Sequence, residues 1–391
     1  MKNIFEEKVK QYMDDVINWR RHLHQNPELS FEEYETTNYI ISILEPLENI
    51  EILRPTKTGV IGVLKGSHPG KIIGLRADID ALAVNEETDV EFKSTKPNIM
   101  HACGHDGHTA MLLATAVIAN DYVDDIHGEI KFIFQPAEEV PPGGAKEMIE
   151  SGALDDVDYF FGQHLMPTSP TGTIAMKIGT MFASSDRFDI TFQGKGGHAA
   201  MPHLAIDPVL IAVEAIQAFQ TIVSRKTHPH YNGTISTTVV NTVGAENVIP
   251  DTINIKGSVR NYDATVRDET EKYIIQIAEG VAKTHGGSAN IIYDRGYSPV
   301  VNDEACFDIS YAAAEAFLDE KDIIIEKAPQ TASEDFSEYN KLAPGNYVLI
   351  GSKNDEKGAN MSPHHPKYMV DEDALYFGIM QFLNTIAKAL M

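Results

Sequence analysis

The chain has 391 residues, with 32 Lys and Arg against 57 Asp and Glu, a formal net charge of −25. At roughly 100–200 residues per domain this length predicts more than one domain, and a composition of 43% hydrophobic and 23% charged residues excludes a wholly disordered chain. So large an excess of acid argues against nucleic-acid phosphate and an anionic membrane surface as partners.

Two cysteines, Cys103 and Cys306, exclude a disulfide scaffold and fit the reducing cytoplasm. The first 25 residues lack the apolar core of a signal peptide, and no apolar run approaches the ~18 residues of a membrane span. The expectation is a cytoplasmic protein with neither a membrane nor a nucleic-acid partner.

Apolar residues at helical spacing predict a helix over about 5–24, stopped by Pro27, and a second over 32–45. The period then changes. Val60–Leu64 and Ile72–Leu75 read as strands, 106–119 as a helix, Ile130–Phe134 as a strand, 143–151 as a short helix and 159–163 as a strand. This alternation predicts an α/β layered domain with a mostly parallel sheet. From Arg187 the order differs: strand to Gln193, helix Pro208–Arg225, strands Gly233–Thr242 and Thr252–Arg260, helix Val266–His285, strand Ser288–Asp294. That is the β-α-β-β-α-β order of a ferredoxin-like unit. It reads as a smaller α+β domain inserted in a larger α/β one, which resumes near 298 and closes with a helix over 371–390.

Three apolar strands run into polar residues: Ile72–Leu75 into Arg76-Ala77-Asp78-Ile79-Asp80, Ile130–Phe134 into Gln135-Pro136-Ala137-Glu138-Glu139, and Tyr159–Gly162 into Gln163-His164. Ligands of open α/β sheets gather beyond the carboxyl ends of the strands, so these ends suggest a metal site. His101-Ala102-Cys103-Gly104-His105-Asp106-Gly107-His108 is the densest set of ligand types in the chain. Thiolate and imidazole suit zinc or a neighbouring transition metal. His101 and His108 read as hydrogen-bonding residues rather than ligands. Glu138 and Glu139 point to opposite sides of an extended chain. One carboxylate then holds a metal while the other takes a proton from the water that the metal acidifies. His364 and His365 lie between Pro363 and Pro366, which stiffen the segment.

Other patterns count for less. Gly194-Lys195-Gly196-Gly197-His198-Ala199 fits a dinucleotide fingerprint, but Pro202 interrupts the helix that this motif requires. There is no G-x-S-x-G elbow, H-E-x-x-H pair or Walker loop. Cys306 sits beside Phe307 in a helical stretch and reads as core.

Taken in order, the segments resemble the M20 family of metallopeptidases and amidohydrolases. The branch is that of hippurate hydrolases, indole-acetyl-amino-acid hydrolases and N-acetyldiaminopimelate deacetylases. The markers are Arg20–His24 with Pro27–Phe31, Arg76–Leu82, Met100–Asp106, Gln135–Glu139, Gly196–Ala200 with Pro202-His203, Asn247–Pro250 and His364–Pro366. Ala83 departs from the usual proline, and Met369-Val370 from a more acidic or aromatic pair. Neither touches a ligand position.

The resemblance implies a metal-binding α/β/α catalytic domain over 1–183 and 298–391, interrupted over 184–297 by a dimerisation or lid domain. It implies two divalent ions, zinc first and manganese, cobalt or nickel as alternatives, held by Cys103, His105, Glu139, His164 and His364. Glu138 would be the general base. An aspartate of the Arg76–Asp80 segment would orient a ligand, Asp78 in preference to Asp80. His198 would polarise the carbonyl of a substrate bound to the other subunit of a homodimer or higher oligomer. The implied activity is amide hydrolysis in N-acyl amino acids or short peptides, with a dipeptidase or aminopeptidase-like activity as the variant. An NAD-linked oxidoreductase, resting on the glycine motif, and a non-catalytic zinc protein are the other classes.

Overall fold

The structure, a computed structural model, describes residues 3–231 and 233–391. The chain divides into two compact units. One comprises Met1–Met181, Val301–Ala328 and Asp335–Met391, the other Phe182–Val300 and Pro329–Glu334.

The first unit is built on eight strands. They are β1 (Ile50–Leu53), β2 (Val60–Lys65), β3 (His68–Asp78), β4 (His127–Gln135), β5 (Tyr159–Pro170), β6 (Ile174–Met176), β7 (Ile323–Ile325) and β8 (Gly345–Lys353), in the spatial order β1-β2-β4-β3-β5-β8-β6-β7. The central strands β4, β3, β5 and β8 run parallel. Antiparallel pairing joins β1 to β2, β2 to β4 and β8 to β6, so the sheet is mixed rather than mostly parallel.

Helices α1 (Glu6–Gln25), α2 (Tyr34–Leu44), α3 (His105–Asn120), α4 (Gly144–Glu150), α5 (Glu304–Glu315) and α6 (Ala374–Leu390) cover the sheet. Helix α3 is buried almost throughout, because α1 and α6 pack over it while it lies on the strands. The sheet's central strands are buried on both faces. Phe161 joins the main core with Val9, Met111, Leu375 and Ile379, while Phe160 stacks against Tyr339 at 5.1 Å. Gly162 is required beside them. A Cβ there would lie 2.6 Å from the Tyr347 ring.

Register carries the polar ends of these strands to one level. Asp78 pairs with Gln135, and Arg76 pairs with Gly162, so His164 follows two residues on. Where the sequence pattern ends this strand at 163, β5 continues to Pro170. His164 therefore sits within the strand, paired with Leu349 of β8, and not in a loop.

The second unit has a four-stranded antiparallel sheet ordered Gly233–Asn241, Thr252–Asn261, Asp186–Gln193, Ser288–Arg295. Helices Pro208–Thr221 and Ala264–Thr284 complete a β-α-β-β-α-β order. Phe188, Ile190 and Phe192 alternate toward Ile211, Ala215, Phe219, Ile274 and Ala278. Pro329–Glu334, which the sequence pattern leaves in the larger domain, belongs here. No described helix is long and apolar enough to cross a membrane.

One charge is buried at the edge of this unit. The Arg267 guanidinium holds fully buried Asp186 through Nε at 3.0 Å and Nη2 at 2.6 Å, and also donates to the Gly296 carbonyl and the Ser298 hydroxyl. Arg267→Met strands the carboxylate, and a buried pair broken on one side costs about 3–5 kcal/mol. Chemical denaturation of the variant is expected to show that loss. A change below about 1 kcal/mol, the scale of an exposed pair, contradicts it.

Candidate metal centre

The centre starts at the end of β3. Arg76 is fully buried and donates from Nη1 to Asp78 Oδ2, from Nη2 to Asp335 Oδ1 and from Nε to Gln135 Oε1, each at 2.8 Å. The other oxygen of Asp78 accepts from His108 Nδ1 at 2.6 Å. His108 Nε2 in turn accepts the Leu165 N–H at 2.8 Å. Both nitrogens of His108 are thus committed, and it serves as a brace between β3 and β5. His101 is buried and neutral, its imidazole lowered by burial to about 4.

Asp80, two residues on, meets three segments. Its Oδ2 accepts from the Ser30 hydroxyl at 2.7 Å and from the Glu139 N–H at 3.1 Å. Its Oδ1 and its carbonyl accept from His105 Nδ1 at 3.1 and 3.0 Å. This fixes the His105 proton on Nδ1 and turns Nε2 inward. Asp80 is therefore the aspartate that orients His105, where the family resemblance favours Asp78. The nearer Asp78 oxygen lies 3.6 Å from His105 Nε2 and is already held by Arg76.

The remaining donors come from four other segments. Gly104 precedes α3 at φ 89°, where a Cβ would meet the Tyr368 hydroxyl at 2.8 Å. Only glycine suits both demands. Cys103 lies before it, its Sγ 3.5 Å from His164 Nε2. His164 donates Nδ1–H to the Leu165 carbonyl at 2.8 Å, which leaves a lone pair on Nε2 toward the sulfur. Glu138 and Glu139 follow Ala137, whose φ is 53°. His364, at φ 69°, is stitched to the Cys103 segment by its N–H to the Ala102 carbonyl at 2.7 Å. Its Nε2 lies 3.2 Å from Glu139 Oε1. His365 is exposed and turned to the Lys367 N–H.

Of the sets of donor atoms mutually within 4.8 Å, two meet at the cysteine: Cys103, His105 and His164, and Cys103, Glu139 and His364; Asp78, His105 and His108 form another, in which Asp78 and His108 are already paired. Glu138 forms a further set with His105 and Glu139. The donors fit a divalent cation on two counts. Sulfur, imidazole and carboxylate together are the ligand types of zinc and its neighbours. His105 Nε2 is also buried without a hydrogen-bond partner, an arrangement that costs stability unless another group satisfies it. The charge balance agrees. Burial lowers the His105 imidazole, but Asp78, Asp80 and Glu139 outweigh it and push the group up to about 10. Burial, then Glu139, Glu138 and Asp78, drive the Cys103 thiol well up. Both shifts mark an excess of negative charge at this point.

His198 lies in the second unit, exposed on the two-residue strand Gly197–His198, which pairs with Val248–Ile249. Its Nδ1 accepts the Ala200 N–H at 3.1 Å, so its proton is on Nε2. A short strand and a 3-10 turn follow the glycines, and the next helix opens only at Pro208, which removes the basis of a dinucleotide site.

A family model described as Peptidase family M20/M25/M40 matches residues 74–388. The chain belongs to this family. It is 45% identical over 301 residues to an N-acyl-L-amino acid amidohydrolase of Geobacillus stearothermophilus, covering 76% of this chain and 81% of that one. It is 40% identical to an N-acetyl-L-cysteine deacetylase of Bacillus subtilis, over 96% of this chain and 88% of the relative. Among solved structures it resembles the Bacillus subtilis YXEP protein, a dinuclear metal binding peptidase from the M20 family. The TM-score is 0.83 at 36% identity, over 96% of this chain and 98% of that one.

Sequence reasoning did not find Ser30 or Asp335. Each meets its partner across a long separation, 50 residues for Ser30 to Asp80 and 259 for Asp335 to Arg76, and neither stands in a pattern of ligand types.

Asp80→Ala is expected to weaken zinc binding about 10–100-fold, the usual cost of removing a carboxylate behind a ligating histidine. Competition with a chromophoric chelator on metal-stripped protein measures it. Unchanged affinity would remove Asp80 from the support of the centre.

Proposed function

We propose that the chain hydrolyses the amide bond of N-acyl amino acids with two divalent cations, zinc first, held by Cys103, His105, Glu139, His164 and His364. The carrying observation is the meeting of two donor sets at Cys103, with the unpartnered Nε2 of His105 beside the carboxylates of Glu139 and Glu138. The amidohydrolase and deacetylase names of its relatives support the substrate class, and the dinuclear neighbour supports two ions. When bound, such ions polarise a carbonyl oxygen and lower the pKa of water to ~7.

The chain's own residues do the rest. Glu138, not needed in either donor set, takes the proton of the attacking water and returns it to the leaving nitrogen. Asp80 keeps His105 in the tautomer that presents Nε2. Cys103 serves both sets. His198 carries its proton on Nε2 and so can donate to the carbonyl oxygen as negative charge grows there. That donation is assigned to a substrate bound by the partner subunit, with the second unit forming the contact of a homodimer.

Glu138→Gln is expected to retain both ions and lower kcat by at least ~10²-fold, the low end for loss of general acid–base catalysis. Metal analysis together with turnover of N-acetyl, N-benzoyl and indole-acetyl amino acids and dipeptides measures this. Loss of metal in step with activity would instead exchange the roles of Glu138 and Glu139. Turnover of dipeptides alone would make the chain a peptidase.

A mixed dimer of His198→Ala and Glu138→Ala chains is expected to recover activity in one of its two sites, since one site then has both groups. Each parent homodimer stays impaired. Verified mixed dimers without recovery would take His198 out of the partner's site.

A further inference from the structure

Glu33 is a buried carboxyl that the reaction above does not use. It stands at the N-terminus of α2, where a carboxylate ordinarily turns to the helix's free N–H groups. It does not do so here. Glu28 Oε2 takes the Thr36 N–H at 2.8 Å, and Glu33 contributes only its backbone carbonyl, to Thr37. The Glu33 side chain leaves the helix and crosses to a segment 104 residues away. Its Oε1 accepts the N–H of Ala137 at 2.8 Å and the N–H of Phe31 at 2.9 Å.

Both of those residues have left-handed backbone, φ 53° at Ala137 and 67° at Phe31, and neither is glycine. Such a conformation is strained and persists only where its surroundings fix it. At Ala137 the fixing contacts are two: the Glu33 oxygen on its N–H, and the Gly144 N–H on its carbonyl at 2.9 Å. The residues that follow the turn are Glu138 and Glu139.

We propose that Glu33 is a positioning residue, whose Oε1 locks the left-handed turn at Ala137 and thereby aims the carboxylates of Glu138 and Glu139. The inference rests on the hydrolytic reading above and names the part that sets its geometry. The function belongs to the acceptor oxygen and not to a charge. Glu33 has no exposed surface, and burial, then Asp80, raises its carboxyl to about 7, so it spends much of its time uncharged at neutral pH. A glutamine oxygen can accept the same two N–H groups.

The test compares Glu33→Gln, Glu33→Met and Glu33→Asp with wild type and Glu138→Gln. The full-length, metal-loaded proteins are assayed on an N-acetyl amino acid, with kcat, KM, bound metal and melting temperature read for each. Glu33→Gln is expected within about threefold of wild-type kcat, and Glu33→Met ~10- to 100-fold below it with KM little changed, the effect of misplacing a reacting group by about 1 Å. A merely structural role would lower the melting temperature of Glu33→Met and leave the kcat of its folded fraction intact, and that result overturns the proposal. So does a Glu33→Gln enzyme as slow as Glu33→Met. If Glu33→Met does not fold, the other two decide: aspartate keeps the charge but loses the reach, so Glu33→Asp must be slower than Glu33→Gln, and the reverse order overturns the proposal. Full activity in Glu138→Gln would remove Glu138 as the base and Glu33's role in aiming it, whereas a wild type without turnover would defeat the hydrolytic reading itself. Loss in Glu138→Gln with none in Glu33→Met defeats only the present inference.

Discussion

The carboxylate of Asp78 is fully buried, and the centre is arranged around the need to compensate it. A buried ionised carboxylate is tolerated only when it is paired and hydrogen-bonded. Arg76 and His108 meet that need from two sides. In doing so they tie β3 to β4 through Gln135, to β5 through Leu165 and to the Asp335 segment. The same Arg76 also pairs with Asp335, which accepts further from Gln135 Nε2 and the Ala145 N–H. The polar ends of three strands thus become one rigid layer before any ligand group is added.

Beyond that layer the balance of charge reverses. Asp80, Glu138 and Glu139 lie at the centre together with the Cys103 thiol, and the Arg76 guanidinium is turned to Asp78, Asp335 and Gln135. A proton on His105 and a proton on Cys103 relieve the excess in the chain alone. Divalent cations would displace both, so metal uptake should release protons. The separation of tasks is physical: Asp78 is committed to Arg76 and His108, whereas Asp80 meets Ser30, His105 and the Glu139 N–H.

Legibility in the sequence followed periodicity and residue type. The helix expected over 106–119 is α3, His105–Asn120, because its limits coincide with a change from apolar run to polar turn. The strand expected at Ile72–Leu75 begins earlier, at His68, because its exposed first residues carry no alternation. Strand β5 outruns its expected end because Met166-Pro167-Thr168-Ser169-Pro170 has the composition of a loop. Cys103 and His105 stand in a dense group of ligand types and Glu138-Glu139 follows a strand, but it is the family resemblance that singles out the five donors, the isolated His164 and His364 among them. The choice between Asp78 and Asp80 leaves no such mark. Both follow one strand, and nothing in residue type separates them. Their difference lies in Arg76 and His105, which approach them from different elements. Glu33 and Asp335 are hidden for the same reason, since a hydrogen bond across 104 or 259 residues leaves no local signature.

Left-handed backbone marks three of the segments that build the centre, at Gly104, Ala137 and His364. Only the first is glycine, so the other two hold conformations that cost of order 1 kcal/mol or more each. Each is held through its backbone: the Ala137 N–H by the Glu33 side chain and its carbonyl by the Gly144 N–H, the His364 N–H by the Ala102 carbonyl, with the Glu87 N–H on Pro366 two residues later. A chain under selection for stability alone would relieve these positions with glycine or a longer turn. Retaining them with dedicated hydrogen bonds favours a fixed separation of donors over a relaxed one. The contacts that hold these turns come from outside the donor set.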